Sequence, residues 1–182
     1  MGSLINSDYK KYKKYGGNFI TIIFFTQGFW AIFQYRISNY IFVNLKIPIL
    51  RQLSLALCLI WRKIIEITTG ISIPASAQIG HSFYIGHIGG IIFNSKTIIG
   101  NNCNISQGVT IGVSGRETNR GVPIIGNNVY IGPNSVIAGK VIISDDVLIG
   151  ACTFVNIDLP QGSVALGVPA KILSNNTSKG YI

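Results

Sequence analysis

From Ile73 to Val155 an apolar residue returns at every sixth position, usually followed by a small or polar one such as Gly80, Gly86, Gly100, Gly112, Gly126, Gly132 or Gly150. The series runs Ile73, Ile79, Ile85, Ile91, resumes at Ile99, Ile105, Ile111, and resumes again from Ile125 to Val155, thirteen positions in all. A helix repeats its faces every 3.6 residues and a half-buried strand every two, so a period of six fits neither element alone. It predicts a parallel β-helix, in which each coil stacks on the last and one apolar residue per hexad points into a narrow core. The series slips twice, by eight residues between Ile91 and Ile99 and by fourteen between Ile111 and Ile125. Surplus residues in a solenoid are extruded, so Val113 to Val122, with Arg116, Glu117 and Arg120, predict a protruding polar loop.

Ahead of the repeats the period changes. Phe29, Ile32, Phe33, Ile37 and Ile41 mark one face of a helix, and a second helical segment, Arg51 to Glu66, follows Pro48. The chain thus divides into a basic, apolar helical region (1–70), a β-helix (71–173) and a short tail (174–182). Lys10, Lys11, Lys13 and Lys14 precede an uncharged stretch from Tyr15 to Tyr35, but Asn18, Thr21, Gln27 and Gln34 within it oppose bilayer insertion. Two amphipathic helices packed on the domain and on neighbouring subunits are the main expectation. The alternative is a peripheral membrane contact through these lysines and Phe24, Phe25 and Trp30.

Composition narrows the function. A chain of 182 residues forms one ordinary domain, or one domain with a short appendage. With 48% hydrophobic and 12% charged residues and a mean hydropathy of +0.43, it is not a disordered tail. The net charge of +9 is uneven, with +7 in residues 1–70 and +2 in the rest, which argues against a basic groove on the main fold and hence against nucleic acid. Cys58, Cys103 and Cys152 are too scattered for a disulfide framework or a zinc site, and suit a cytoplasmic setting, with the inner face of the membrane as the alternative location.

Several runs then carry a resemblance: Thr69-Gly70-Ile71-Ser72-Ile73-Pro74-Ala75, Ile85-Gly86-His87-Ile88-Gly89-Gly90-Ile91, Gln107-Gly108-Val109-Thr110-Ile111-Gly112, Ile125-Gly126-Asn127-Asn128-Val129 and Gly167-Val168-Pro169-Ala170-Lys171. In this order they resemble the serine O-acetyltransferase branch of the left-handed β-helix, hexapeptide-repeat acyltransferases, over about residues 28–173. The resemblance implies an all-β main domain, a left-handed parallel β-helix behind an N-terminal α-helical segment. It also implies a homotrimer with acetyl-CoA sites between adjacent subunits, where Gly112, Val113, Pro133, Ala151 and Lys171 would bind the donor and a backbone N–H near Gly112 would receive the thioester oxyanion.

Acetyl transfer to a hydroxyl needs a base, because an alcohol attacks a thioester only as its proton is removed. Of the two histidines, His87 matches the catalytic histidine of the resembled family, and His81 reads as a surface residue. Two histidines do not make a three-histidine metal site, so no metal is expected. What orients His87 is open between Ser72, Glu117 and a backbone carbonyl. Ser72 stands where the family has its orienting carboxylate, Gly86 where an acid precedes the histidine, and Gly121-Val122 where an Arg-His pair serves the amino-acid acceptor. A free amino acid left with unpaired charges in a closed site is bound poorly. The expectation is therefore an acetyl-CoA-dependent O-acetyltransferase acting on a sugar or polysaccharide precursor. The alternatives are serine O-acetyltransferase itself and a non-catalytic β-helix scaffold.

Overall fold

The computed structural model describes all 182 residues. The repeats wind into a three-sided parallel β-helix whose strands are two or three residues long, because each hexad supplies one short strand and one corner. The first face stacks Ile71–Ser72, Ile91–Phe93, Thr110–Gly112, Val136–Ala138 and Phe154–Val155. The second stacks Gln78–Ile79, Ile98–Ile99, Ile124–Ile125 and Ile142–Ile143. The third begins with Tyr84–Ile85, Asn104–Ile105, Tyr130–Ile131 and Leu148–Ile149, and ends with Val164–Leu166, against which Lys171–Ser174 pairs antiparallel. Ile85, Ile91, Ile111, Ile131, Ile137 and Ile149 are fully buried, so the hexad residues do form the core.

The register moves one of the expected slips. Ile85 pairs with Ile105 and Phe93 with Ile111, so eight residues separate the inward positions on one coil and six on the next. The two surplus residues are His87 and Ile88, not a pair after Ile91. Ile91 is still buried because it stacks on Ile71 in a second inward column of the first face. The larger slip is as expected: Val113 to Val122 projects from the corner between the first and second faces, its ends joined by Ser114 and Gly121 and its tip a single 3₁₀ turn, Glu117–Asn119.

Four helices rather than two precede the solenoid: α1 (Gly2–Lys14), α2 (Phe19–Phe25), α3 (Gln27–Asn44) and α4 (Pro48–Thr69). A solenoid's first coil has unpaired edge groups, which a cap must satisfy. Here α1 and α3 do so with side chains. Tyr12 Oη donates to the Ile85 carbonyl (2.8 Å) and accepts from its N–H (3.2 Å), and Tyr35 Oη donates to the Ala77 carbonyl (2.8 Å). Arg36 donates to the carbonyls of Ile79 (2.6 Å) and Gly80 (2.5 Å) while its Nε sits 2.8 Å from Asp8, whose other oxygen accepts from Phe83 N–H. Gly28 is required because a Cβ there would strike the Ile85 carbonyl.

The basic N-terminal cluster is not wholly at the surface. Lys11 is buried, with its ammonium donating to Asn102 Oδ1 (2.7 Å), and Trp30 is half-buried with its indole N–H on the Ile23 carbonyl. Phe24 and Phe25 stay exposed, and no helix is long and apolar enough to cross a membrane. α4 packs on α3 through Trp61 against Phe33 and ends at Gly70, whose left-handed backbone (φ 68°) turns the chain sharply into the first strand.

Candidate active site

His87 is exposed on the extruded corner between the third and first faces. Its loop is pinned from below: Gly89 N–H donates to the Thr69 carbonyl (2.9 Å) and Ile91 N–H to the Gly70 carbonyl (3.0 Å). A Cβ on Gly70 would come within 3.0 Å of Gly90 N, so the loop and the end of α4 touch through backbone. The imidazole has no hydrogen-bond partner within its own protomer. His81 lies on a different corner, exposed, with Nδ1 3.1 Å from Ser82 Oγ.

Above His87 the same corner repeats coil by coil. Backbone bonds from Gly108 to Gly89, Asn134 to Gln107 and Cys152 to Pro133 stack Gly89, Gln107, Pro133 and Ala151 in one column. The flanking Gly132 and Gly150 leave no room for side chains, since a Cβ on Gly132 would lie 2.7 Å from Ala151 N. This column therefore presents a shallow track of small residues and backbone that starts at the histidine. Gln107 Oε1 is buried in it without a partner. Beside the track lies a cavity of about 550 Å³, lined by Pro133, Ala151, Tyr130 and, from the tail, Thr177, Lys179 and Tyr181.

The other expected residues are placed elsewhere. Gly112 and Val113 stand at the base of the projecting loop and Glu117 in its tip, one corner away from His87, so they do not meet the imidazole within one chain. Lys171 is exposed in the terminal antiparallel strand and does not line the cavity, whereas Lys179 does. Lys179 and Tyr181 escaped sequence reasoning because only the reversal of the chain after Leu166 brings the tail back. The Tyr181 carbonyl accepts from Asn104 (2.8 Å) and its ring packs 5.0 Å from Tyr130.

Ser72 lies half-buried on the first strand, and its hydroxyl donates to Glu66 Oε1 at 2.5 Å. Glu66 is 17% exposed, with Arg62 3.3 Å and Lys63 2.5 Å away. Partial burial pushes its carboxyl up, but the bonds from Lys63 and Ser72 and the Arg62 charge outweigh this and hold it below the usual carboxylate range. Glu66 was not among the residues expected at the site. No three His, Cys, Asp or Glu side chains cluster as metal ligands would.

Residues 123–156 match the family model of the bacterial transferase hexapeptide (six repeats). The chain is 33% identical over 149 residues to a serine acetyltransferase of Helicobacter pylori, covering 82% of each chain. It is 27% identical over 156 residues to the serine acetyltransferase of Synechococcus elongatus, covering 86% of this chain and 61% of that longer relative. Among solved structures it resembles serine acetyltransferase from Neisseria gonorrhoeae (TM-score 0.83, 27% identity, 95% of this chain and 66% of that one). It also resembles a serine acetyltransferase in complex with CoA (TM-score 0.79, 28% identity, 93% and 68%). The left-handed β-helix with an N-terminal helical segment is thus the fold of the chain.

These relatives overturn the sugar or polysaccharide acceptor expected from the sequence, since they are named for serine. That expectation counted charges only at the positions Ser72, Gly86, Gly121 and Val122. The fold brings others near these corners, with Glu66 bonded to Ser72 and Arg116, Glu117 and Arg120 carried on the projecting loop. Missing residues at aligned positions are weak grounds when neighbouring elements supply the same chemistry.

Proposed function

We propose, from the premise that this chain belongs to the serine acetyltransferase family, that it transfers acetyl from acetyl-CoA to the side-chain hydroxyl of L-serine in the cytoplasm, with His87 as general base. The observation that carries the reading is the extruded histidine at the foot of a track of small residues. Pantetheine carries amide N–H groups, and the unpartnered Gln107 oxygen suits one of them. Lys179, Lys171 or both would meet phosphate as point charges, and Ala151 and Pro133 would leave room for the pantetheine arm.

The split of expected residues between two corners supports a homotrimer. The corner bearing Gly112, Val113 and Glu117 of one subunit would complete the corner bearing His87, Pro133 and Ala151 of the next. The serine zwitterion needs opposite charges in a site that excludes water, and Arg116, Glu117 and Arg120 on the loop of the adjacent subunit carry both signs. As the serine Oγ–H bond breaks, His87 Nε2 takes the proton and the oxygen bonds to the thioester carbonyl carbon. The oxyanion is met by a backbone N–H near Gly112. The C–S bond then breaks and the thiolate takes the proton back from the imidazolium, leaving O-acetylserine and CoA.

The test is release of free CoA thiol from acetyl-CoA with L-serine and with a panel of other hydroxyl compounds. L-serine is the expected preferred acceptor, and His87→Ala should lower the rate by about 10²–10⁴. Absence of transfer to L-serine, or a His87→Ala protein as fast as the parent, would overturn the reading.

A further inference from the structure

A histidine that works as a base through Nε2 needs an acceptor for its Nδ1–H, both to select the tautomer and to stabilise the imidazolium that forms. Three acceptors were open to His87 from the sequence, and the structure narrows them. Glu117 lies on another corner of the chain and reaches the imidazole only from a neighbouring subunit. The backbone carbonyls beneath the loop, those of Thr69 and Gly70, are turned toward the amides of Gly89 and Ile91 and hold the loop backbone rather than its side chain. Ser72 remains, on the strand that pairs with the one the His87 loop enters, and its own proton is committed to Glu66, which leaves its oxygen lone pairs as acceptors.

We propose that Glu66, acting through Ser72, is the positioning carboxylate of this site: His87 Nδ1–H donates to Ser72 Oγ, whose hydroxyl donates to Glu66 Oε1. The Ser72 to Glu66 arm is in place (2.5 Å), and the imidazole, which has no partner within its own protomer, is free to close the other arm; Lys63 holds the second carboxylate oxygen (2.5 Å), and Arg62 Nε lies 3.3 Å from the oxygen that Ser72 bonds. The sharp turn at Gly70 is what folds the last turn of α4 back over the first strand and makes the contact. Glu66 keeps its charge, because its neighbours hold the carboxyl below the ordinary range. The charged or titratable groups on the elements packed against this corner are Glu66, Arg62 and Lys63 on α4 and Tyr84 on the preceding strand. Ser106 and Gln107 on the adjacent coil are neutral, and Glu117 arrives only with a second subunit.

The kinetic arm of the test rests on the serine-acetylation reading, and the spectroscopic arm does not. With ¹³C-histidine in the full-length chain, only two imidazoles titrate, and His81→Gln assigns them. Removing the carboxylate in Glu66→Gln should lower the His87 pKa by about one pH unit, because the imidazolium loses a nearby negative charge. Ser72→Ala, which leaves the pairing of Glu66 with Lys63 intact, should do the same and serves if Glu66→Gln folds poorly. In acetyl transfer to L-serine, each should lower kcat by about 10- to 10²-fold, part of what the base itself contributes, with KM for acetyl-CoA unchanged. The acid limb of the rate profile should move down in step. Glu66→Gln combined with Ser72→Asp should restore both readouts by placing the carboxylate directly on the strand. An unchanged His87 pKa in both single variants overturns the proposal, even if activity falls. A shifted pKa without turnover of L-serine leaves the relay standing and sinks the acceptor instead.

Discussion

Removing Asp8 should unfasten the helical cap from the solenoid. The Asp8 and Arg36 side chains are 0% and 2% exposed, and the guanidinium approaches the carboxylate through Nε (2.8 Å) and a terminal nitrogen (3.1 Å). Burial pushes the Asp8 carboxyl up, a cost that Arg36 and the Phe83 N–H only partly offset, so the pair gains little on its own. Its loss is a different matter. In Asp8→Ala the guanidinium stays buried with the Ile79 and Gly80 carbonyls as its only partners, and the Phe83 N–H loses its acceptor. Breaking a buried pair from one side costs about 3–5 kcal/mol, and the orphaned amide overlaps with that figure rather than adding to it. A loss of about 4 kcal/mol in a domain of this size lowers Tm by roughly 8–16 °C. The assay is denaturant and thermal unfolding followed by circular dichroism at fixed protomer concentration, since assembly contributes to apparent stability. Asp8→Asn, which keeps one oxygen for the Phe83 N–H and the terminal nitrogen of Arg36 but sets an amide donor against Arg36 Nε, should lose less. An Asp8→Ala protein within about 1 kcal/mol of the parent would refute the view that this pair seals the first coil.

Lys11 provides a pH test with a defined sign. Burial pulls its ammonium down from 10.5 to about 8, so between those values the unfolded chain binds the extra proton and stability rises with pH. The unfolding free energy of the parent should therefore gain on that of Lys11→Met between pH 8 and pH 10.5, and a constant difference across that window would contradict the buried lysine. On the donor track, Ala151→Leu should raise KM for acetyl-CoA by about tenfold or more without altering the fold, because Ala151 is exposed; an unchanged KM would take Ala151 off the pantetheine path. Of the three free thiols, Cys58 and Cys103 are buried, and burial pushes Cys103 up to about 11. An aromatic disulfide reagent at pH 8 should find one fast thiol per native protomer, Cys152, and all three after denaturation.

How far the sequence could be read depended on how many positions shared a constraint. Core residues repeat because every coil must fill the same narrow interior, so thirteen of them could be recognised together, and the fold followed. The exact seat of the two surplus residues did not, because the first face has two inward columns and Ile91 satisfies one while Phe93 satisfies the other. Counting back six from Ile99 reaches Phe93, and that phase would have placed the extruded pair between Ile85 and Phe93, where the register seats it at His87 and Ile88. Glu66 was hidden for another reason. Six residues before Ser72 is neither a helical nor a strand neighbour, and the two meet only because Gly70 takes a left-handed turn between them. The tail was hidden likewise, since Lys179 and Tyr181 reach the cavity through one antiparallel reversal that no periodicity announces. The chemistry of this chain thus sits at corners, turns and ends, where each residue answers to a single local geometry. The acceptor expectation failed at such positions too: it weighed four absent residues as though the site were confined to one strand and one loop. The proposed composite corner predicts that charges for the zwitterion come from the projecting loop of a second subunit. Mixing a His87→Ala chain with a chain lacking residues 114–121 should then restore a fraction of the activity that neither has alone, and a mixture as inactive as its parts would place the whole site within one protomer.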